Sequence, residues 1–190
     1  FIYYYSMPVQ TPICDFGQKA LHFKLKSTEN KIISLNDIKG KNGTLIMFIC
    51  NHCPYVKAVT REIVEDCNEL KKIEVNSVAI CSNDFVNYPE DSFDNMIKFS
   101  TDNQFSFPYL HDDTQEIAKS YDAVCTPDFF GYNKNLELQY RGRLRELKNF
   151  IPVKDGESDL LKAMKQVAET ENGPQDQIPS AGCGIKWKYD

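Results

Sequence analysis

The sequence predicts an α/β fold, and three neighbouring features of the chain support it. Residues 45–49 form a short, continuous apolar run, which is typical of a strand buried on both faces of a sheet. Residues 75–80, with apolar residues at Val75, Val78, Ala79 and Ile80, are predicted as a second buried strand. Between the two, apolar residues follow Pro54 at helical spacing, namely Val56, Val59, Ile63, Cys67 and Leu70. The order strand, helix, strand therefore predicts a sheet with an amphipathic helix packed against it.

Two cysteines lie where the first buried strand meets this helix, in the stretch Cys50-Asn51-His52-Cys53. Pro54 suits the first turn of a helix, because its fixed φ and missing N–H cost nothing there. The free N–H groups and the positive dipole end of the helix favour a thiolate over a thiol, and His52 can add a second positive charge. We therefore predict a reactive thiolate at Cys50, with Cys53 close enough to form a disulfide with it.

Zinc binding and a purely structural role are alternative interpretations of these two cysteines. A zinc site needs a second pair of ligands at finger-like spacing, and the other Cys and His residues are scattered singly. A lone dithiol at a strand-to-helix turn is instead the pattern of a redox site. We expect no metal, and no cofactor beyond the redox-active cysteines.

The composition fits one folded domain with short additions at both ends. The chain has 190 residues, 42% of them hydrophobic, and a formal net charge of −5. This acidic balance argues against a nucleic-acid partner, and no apolar run approaches the ~20 residues that span a bilayer. We predict a domain at residues 7–170 and a C-terminal tail at residues 171–190, which is rich in Gly, Pro, Ser and Gln.

The first residues and the cysteine count bear on where the protein works. Residues 1–6 are apolar and do not begin with Met, so they are interpreted as an upstream extension, a cloning remnant or the end of a removed signal peptide. Seven cysteines cannot all pair within one chain, and a dithiol that cycles does not need an oxidising compartment. We expect a cytoplasmic location, with the periplasm as the alternative if residues 1–6 belong to a signal peptide.

An acidic residue follows the second buried strand. Asp84 comes shortly after residues 75–80, and the carboxyl ends of parallel strands meet at one edge of a sheet. Asp84 is therefore predicted either to lie near the dithiol or to cap the local turn. Periodicity predicts further strands at residues 21–25, 105–110, 129–133 and 136–141, and helices at 89–103 and 158–168.

The stretch Cys125-Thr126-Pro127 is the second informative part of the chain. A proline is tolerated at the start of a strand because it has no N–H to donate to the ladder, and a cis bond before it needs a tight turn. Downstream, Arg141, Arg143 and Arg145 are interpreted as part of a solvated edge rather than an anion site.

Six motifs spread over nearly the whole chain are specific when taken together. They are Met47-Phe48-Ile49-Cys50-Asn51-His52-Cys53-Pro54-Tyr55-Val56, Ser82-Asn83-Asp84, Tyr88-Pro89-Glu90-Asp91-Ser92, Cys125-Thr126-Pro127-Asp128-Phe129-Phe130, Tyr140-Arg141-Gly142 and Gly182-Cys183-Gly184-Ile185-Lys186-Trp187-Lys188. The set resembles bacterial AhpC/TSA (redoxin) proteins, peroxiredoxin-like members of the thioredoxin-like superfamily. The resemblance implies a thioredoxin-like fold, with a central mixed β-sheet flanked by helices on both faces. It also implies that Cys50 is the nucleophilic thiol, Cys53 the resolving thiol, and Pro127 a cis-proline facing the disulfide.

The chain departs from these relatives in the residues that handle peroxide and protons. The peroxiredoxin motif Pro-x-x-x-Thr/Ser-x-x-Cys, aligned on Cys53, puts Cys50 at the Thr position and Ile46 at the Pro position. Pro127 falls at about the place of the arginine that activates peroxide in that family. Thioredoxins also carry a buried Asp on the strand before the dithiol, where this chain has Thr44. That proton-accepting role is left to Asp84, to water or to nothing.

The predicted function is thiol–disulfide exchange by Cys50 and Cys53, supported by His52, Thr126 and Pro127. A thiol peroxidase and a redox-sensing binding module are the alternatives. The expected partners are protein or small-molecule disulfides and a thiol reductant such as thioredoxin or glutathione.

Two further cysteines are candidates for an auxiliary role. Cys125 directly precedes the Thr-Pro step and is predicted to lie near the active site. Cys183 has Gly on both sides in a tail that is flexible enough to reach a nearby surface, so it could supply a third redox thiol. The alternative is that both are inert, with Cys125 a small buried residue and Cys183 part of a docked tail, since free cysteines are often simply buried. Cys14, Cys67 and Cys81 are interpreted as packing residues.

Overall fold

The computed structural model describes residues 7–189. Residues 1–6, interpreted from the sequence as an extension, a cloning remnant or a signal-peptide remnant, lie outside the described residues, as does Asp190. The strands are β1 (Val9–Gln10), β2 (Lys24–Ser27), β3 (Ile32–Ser34), β4 (Gly43–Phe48), β5 (Val75–Cys81), β6 (Tyr109–His111), β7 (Cys125–Thr126), β8 (Asp128–Tyr132), β9 (Leu138–Tyr140), β10 (Leu147–Lys148), β11 (Ile151–Pro152) and β12 (Ala181–Gly184). The helices are α1 (Leu35–Ile38), α2 (Pro54–Lys72), α3 (Phe93–Asp102), α4 (Glu116–Ser120) and α5 (Asp159–Thr170).

The main sheet is mixed, with β4 near its centre. Its strand order is β3-β2-β6-β5-β4-β8-β9. β4 pairs parallel with β5, and β5 pairs parallel with β6, whereas β8 pairs antiparallel with β4. Every residue of β4 is buried, as expected for a strand with neighbours on both sides and helices above and below. The central mixed sheet is confirmed.

Helices cover both faces of this sheet, because successive residues of β4 point to opposite faces. Leu45 and Met47 pack in one core with the buried side chains of α2 and α5. Ile46 and Phe48 pack in a second core with the buried side chains of α1 and α4. The chain therefore has the thioredoxin-like architecture that the motifs implied.

The helix after the dithiol forms as its periodicity predicts. Pro54 occupies the first turn of α2, and the helix carries Lys71 and Lys72 in its last turn, where positive charge opposes the negative end of the dipole. The stripe of apolar residues on α2 is fully buried. No helix within residues 7–189 is both long and apolar enough to cross a membrane.

The helix predicted at residues 89–103 begins later than expected. Pro89–Asp91 forms a short 3₁₀ turn, and α3 starts only after Ser92, whose Oγ accepts a hydrogen bond from the backbone N–H of Asn95 at 3.2 Å. A serine at this position caps the helix in preference to continuing the preceding turn. The break has a consequence for the site, because it turns the Asp91 side chain fully into the interior.

A second, three-stranded sheet contains the end of the chain. Its order is β1-β12-β7, so a strand from the predicted tail lies between the first strand and the Cys125–Thr126 strand. Val9 pairs with Gly182, and Cys183 pairs with Thr126. Ile185, just beyond β12, is buried in the core that contains Phe48. The tail is therefore a packed part of the fold rather than the flexible extension that the sequence suggested.

Candidate active site

The two cysteines of the dithiol lie at the carboxyl end of β4. β4 ends at Phe48, Cys50 follows two residues later, and Cys53 is the N-cap residue of α2. The chain crosses from strand to helix within these few residues, as the apolar run followed by Pro54 predicted. Both cysteines are free thiols in this structure, and both are fully buried.

Cys50 has the surroundings of a neutral thiol. Its Sγ lies 3.5 Å from Oγ1 of Thr126, and the side chain belongs to the core that contains Met47. Burial raises the pKa of the Cys50 thiol, and the neighbouring Cys53 and the Asp91 carboxylate raise it further.

Cys53 has the opposite surroundings. Its Sγ lies 3.0 Å from Sγ of Cys183. The thiols of Cys183 and Cys50, together with the backbone N–H of Val56 in the first turn of α2, lower the pKa of Cys53 against the opposing effect of burial. The lowered pKa therefore falls on Cys53, whereas the sequence predicted it at Cys50. The helix begins one residue after Cys53, so its N-terminal N–H groups act on Cys53, while Cys50 lies between the end of β4 and the helix.

The Thr126–Pro127 step closes the other side of the site. The peptide bond between these residues is cis, as the resemblance implied. The carbonyl oxygen of Thr126 lies 3.3 Å from Sγ of Cys53, and its hydroxyl contacts Cys50. One residue therefore touches both sulfurs, which explains why the Thr-Pro pair and the dithiol occur together in this sequence.

A buried carboxylate that the sequence analysis did not single out lies beside Cys50. Asp91 is 0% exposed. Its Oδ1 accepts a hydrogen bond from the backbone N–H of Asn51 at 2.8 Å, and its Oδ2 accepts one from Nδ2 of Asn83 at 2.8 Å. Nδ1 of His52 lies 2.7 Å from the same Oδ2. The Asp91 carboxylate raises the pKa of His52, which favours the imidazolium form of the ring.

Asp84, the acidic residue that was predicted either near the dithiol or as a turn cap, is the turn cap. Its Oδ1 accepts a hydrogen bond from the backbone N–H of Val86 at 3.0 Å, and its Oδ2 accepts one from Nδ2 of Asn87. The strand end does contribute to the site, but through Asn83, which holds Asp91. The only signal for Asp91 in the sequence was its place in the Tyr88 to Ser92 motif, where nothing distinguishes it from Glu90 beside it.

The remaining cysteines, other than Cys183, differ in where they lie relative to the site. Cys125 lies next to Thr126, as its place in the sequence predicted, and is buried, with Sγ 3.6 Å from the carbonyl oxygen of Pro127. Cys67 and Cys81 are buried in the same core as the dithiol, where burial raises the pKa of each thiol to about 12. Cys14 is half-buried, with its pKa raised to about 11.

Three side chains at the site could together approach a metal ion. One atom each of Cys50, His52 and Asp91 lies within 4.8 Å of the others. However, both oxygens of Asp91 already accept hydrogen bonds from protein N–H groups, and the carboxylate pairs with His52. These hydrogen bonds and the ion pair account for the Asp91 carboxylate in the cluster.

A cavity of about 240 Å³ opens beside the cis-proline step. Its walls come from the first turns of α2, from the cis-proline strand, from residues 143–147 and from the chain at the start of β12. Apolar residues such as Tyr55, Val59, Pro127 and Phe129 line it together with the charged residues Arg143, Arg145 and Glu146.

Comparison with solved structures gives close and distant matches. An uncharacterized conserved protein from Geobacillus kaustophilus is 40% identical, covers 96% of this chain and 97% of its own, and superimposes with a TM-score of 0.91. A hypothetical protein from Sinorhizobium meliloti 1021 is 29% identical over 97% of this chain and 100% of its own, with a TM-score of 0.87. A thiol:disulfide interchange protein of the thioredoxin family from Chlorobium tepidum TLS is 14% identical over 80% of this chain and 97% of its own, with a TM-score of 0.62. No curated protein matches the chain.

The fold and the dithiol at the end of its central strand define a redox protein with a thioredoxin fold. The model of the AhpC/TSA family matches residues 16–147. The chain belongs to the AhpC/TSA family.

Proposed function

We propose that this protein is a thiol–disulfide oxidoreductase whose attacking sulfur is Cys53. The observation that supports the proposal most strongly is the position of Cys53, at the N-cap of α2 with Cys50 and the Thr126–Pro127 step on either side. A thiolate is the nucleophile in disulfide exchange, and the surroundings of Cys53 lower the pKa of its thiol.

The reaction proceeds in two exchange steps. The Cys53 thiolate attacks one sulfur of a substrate disulfide, forms a mixed disulfide with it and releases the other substrate sulfur as a thiolate. Cys50 then loses its proton and attacks the Cys53 sulfur, which releases the second substrate thiolate and leaves a Cys50–Cys53 disulfide. Two electrons pass from the dithiol to the substrate. The same steps in reverse oxidise a substrate dithiol, so the redox poise of the partner decides the direction.

Cys50 needs a proton acceptor for the second step, because burial favours its neutral form. The Asp91 carboxylate is in position to take this proton, since one of its oxygens lies within 4.8 Å of the Cys50 sulfur and the His52 ring pairs with it. Asp91 thus takes the role that the sequence analysis left to Asp84, to water or to nothing. The substrates in this proposal are protein or small-molecule disulfides, and a thiol such as glutathione or thioredoxin regenerates the reduced form.

Turnover of insulin and of glutathione disulfide, with dithiothreitol as the electron source, tests the proposal. The parent protein should catalyse both, Cys53→Ser should abolish turnover, and Cys50→Ser should accumulate a mixed disulfide on Cys53. Cys14→Ser is the matched control, because Cys14 is half-buried and lies outside the site. Absence of catalysis by the parent, combined with formation of a stable internal disulfide, would support the redox-sensing module instead.

A thiol peroxidase is the second candidate, and one observation favours it. Cys53 aligns with the cysteine of the peroxiredoxin motif and is the sulfur with the lowered pKa. The arginines argue against it, because a peroxidase of this family uses an arginine to activate peroxide, and each of the four arginines here already pairs with a carboxylate. The pairs are Arg61 with Glu65, Arg141 with Asp128, Arg143 with Asp159 and Arg145 with Glu62. Fast stoichiometric reduction of hydrogen peroxide that is lost in Cys53→Ser would make the peroxidase the primary assignment.

A further inference from the structure

The buried position of the dithiol raises the question of how a partner reaches it. Cys53 is 0% exposed and Cys50 is 1% exposed. Cys183 is only half-buried, and its sulfur lies 3.0 Å from that of Cys53. A disulfide exchange requires direct contact between sulfurs, so Cys183, the least buried cysteine of this trio, is the one that an outside molecule can meet first.

The strand that carries Cys183 is held tightly against the cis-proline step. Cys183 pairs with Thr126, and Gly184 pairs with Cys125. A Cβ atom on Gly182 would lie 2.0 Å from the carbonyl oxygen of Thr126, so only glycine allows the two backbones to approach so closely.

A side-chain contact fixes the same segment just before the strand. Oγ of Ser180 donates a hydrogen bond to the carbonyl oxygen of Pro127 at 2.7 Å. The backbone N–H of Thr11 donates to the carbonyl oxygen of Ser180 at 2.9 Å. The strand pairing and these two hydrogen bonds therefore fix the position of Cys183 beside the site.

We propose that Cys183 is the exchange thiol of this protein, through which the buried Cys53–Cys50 dithiol trades disulfides with molecules outside. The proposal rests on the dithiol chemistry of the proposed function and changes its first step. Cys183 meets the outside disulfide in place of Cys53, Cys53 attacks the resulting Cys183 mixed disulfide, and the disulfide that Cys50 resolves is then Cys53–Cys183. The proposal also gives the C-terminal strand a catalytic part.

The steps balance in sulfur bonds and electrons. Cys183 exchanges with an outside disulfide, giving a Cys183 mixed disulfide and one free outside thiol. Cys53 attacks the Cys183 sulfur, which forms a Cys53–Cys183 disulfide and releases the second outside thiol. Cys50 then attacks the Cys53 sulfur, which forms the Cys50–Cys53 disulfide and returns Cys183 as a thiol. The net change is one outside disulfide reduced and one internal disulfide formed.

The electrostatics of the three thiols favour the return direction of the relay, in which an outside thiol reduces the oxidised protein. In a Cys53–Cys183 disulfide, an outside thiol can attack the Cys183 sulfur and expel Cys53. Exchange is faster when the leaving sulfur has the lower pKa, and the surroundings lower the pKa of Cys53 while they raise that of Cys183. The separation of 3.0 Å already brings the reacting sulfurs to a near-attack distance.

The test follows the reduced protein after addition of glutathione disulfide. Samples are quenched with acid, blocked with N-ethylmaleimide and mapped by peptide mass spectrometry. In the parent protein, glutathione should appear on Cys183 before the Cys50–Cys53 disulfide accumulates. In Cys183→Ser, formation of that disulfide should slow by about tenfold or more, because glutathione disulfide must then reach the buried Cys53 sulfur directly. Cys14→Ser should match the parent.

A second variant keeps Cys183 intact and so does not depend on the folding of Cys183→Ser. In Cys53→Ser, glutathione should accumulate on Cys183 and remain there, since the next sulfur in the relay is missing. Glutathione on Cys50 instead, or an unchanged rate in Cys183→Ser, overturns the relay and leaves the dithiol function standing. A parent protein that glutathione disulfide does not oxidise at all overturns the proposed function and the relay with it.

Discussion

Cys50 and Cys53 lie three residues apart but have opposite surroundings. Cys50 ends a strand, contacts the hydroxyl of Thr126 and has the buried Asp91 carboxylate nearby. Cys53 caps a helix and lies against the Cys183 sulfur. A negative charge beside one thiol and hydrogen-bond donors beside the other push their pKa values apart, which is how a pair of like groups acquires two roles.

Replacement of Asp91 by Asn tests the proton acceptor for Cys50. Asn keeps the size of the side chain but removes the charge, so the pKa of Cys50 should fall. The mixed disulfide on Cys53 should nevertheless persist roughly tenfold longer or more, because a positioned general base contributes at least that much to a proton-transfer step. Acid quenching at intervals, followed by mass spectrometry, measures the lifetime. Asp94→Asn, at an exposed position on α3, is the control. An unchanged lifetime in Asp91→Asn would exclude the base role.

His52 should make stability depend on pH. The ion pair with Asp91 raises the pKa of His52, so the folded state holds the proton more tightly than the unfolded state does. This stabilisation is fully present below the unfolded pKa of about 6.5 and is lost as the pH rises through the folded pKa. Urea unfolding of the reduced parent and of His52→Gln checks it. The difference in their free energies of unfolding should be larger at about pH 6 than at about pH 9. An equal difference at both pH values would mean that His52 has no such role.

The residues of the site were predictable only where a local pattern marks them. The dithiol follows an apolar run and precedes a proline, and the Thr-Pro step belongs to a motif, so Cys50, Cys53, Thr126 and Pro127 were found from the sequence. Asp91 was missed because its burial depends on the break between a 3₁₀ turn and α3, and Ser92, which caps α3 at this break, was placed inside one helix predicted from Pro89 onwards.

At the scale of the elements, the C-terminal strand is the part that the sequence predicted least well. Gly, Pro and Ser indicated a flexible tail, whereas two of the glycines belong to a paired strand. The composition that marks flexible segments also permits close backbone contact, and the sequence alone does not separate the two. The contact partner, the cis-proline step, lies more than fifty residues away along the chain.

Substitution in this strand should expose the dithiol. Gly182→Ala places a Cβ atom 2.0 Å from the Thr126 carbonyl oxygen, so β12 must move away from β7. Alkylation of Cys53 by iodoacetamide should become faster than in the parent. Gly184→Ala is the matched control, since its Cβ would lie 3.5 Å from Cγ2 of Val9, an ordinary contact. Equal alkylation rates in both variants would show that β12 does not cover the site.

The arginines after β9 also differ from their predicted role. They were interpreted as a solvated edge, but Arg141 is 6% exposed and forms an ion pair with Asp128, which is 0% exposed. Asp128 also accepts a hydrogen bond from the backbone N–H of Val124, so the pair ties the cis-proline segment to β9. A sequence reading of closely spaced arginines cannot tell which carboxylate each one meets in the fold.

Loss of one partner of this buried pair should be costly. Arg141→Leu leaves Asp128 buried without its cation, and the free energy of unfolding should fall by about 3–5 kcal/mol. Urea denaturation measures the change. Arg61→Leu is the control, because it removes an exposed pair with Glu65 on α2 and should cost at most about 1 kcal/mol. Similar losses of unfolding free energy in the two variants would show that the buried pair with Asp128 stabilises the fold no more than the exposed pair does.

For the whole molecule, the fold class could be predicted because its signal is repeated. Two apolar strand segments, an amphipathic helix between them and a dithiol where the first strand meets the helix all indicate the same α/β arrangement, and the structure confirms it. Local preferences and the global fold agree, as is usual for natural sequences. What could not be predicted is the way in which distant segments converge. The strand end, the helix N-terminus, the cis-proline step and the C-terminal strand all meet at Cys53.

Because these segments converge on Cys53, the proposed function depends above all on whether its thiol is ionised. The ultraviolet absorbance of the thiolate as a function of pH measures this most directly. The titration is made on the reduced parent and on the Cys50→Ser and Cys53→Ser variants. The parent and Cys50→Ser should each show a thiolate that forms well below the free-thiol pKa of about 8.5, and Cys53→Ser should lose it. A low-pH thiolate that survives in Cys53→Ser and disappears in Cys50→Ser would contradict the account.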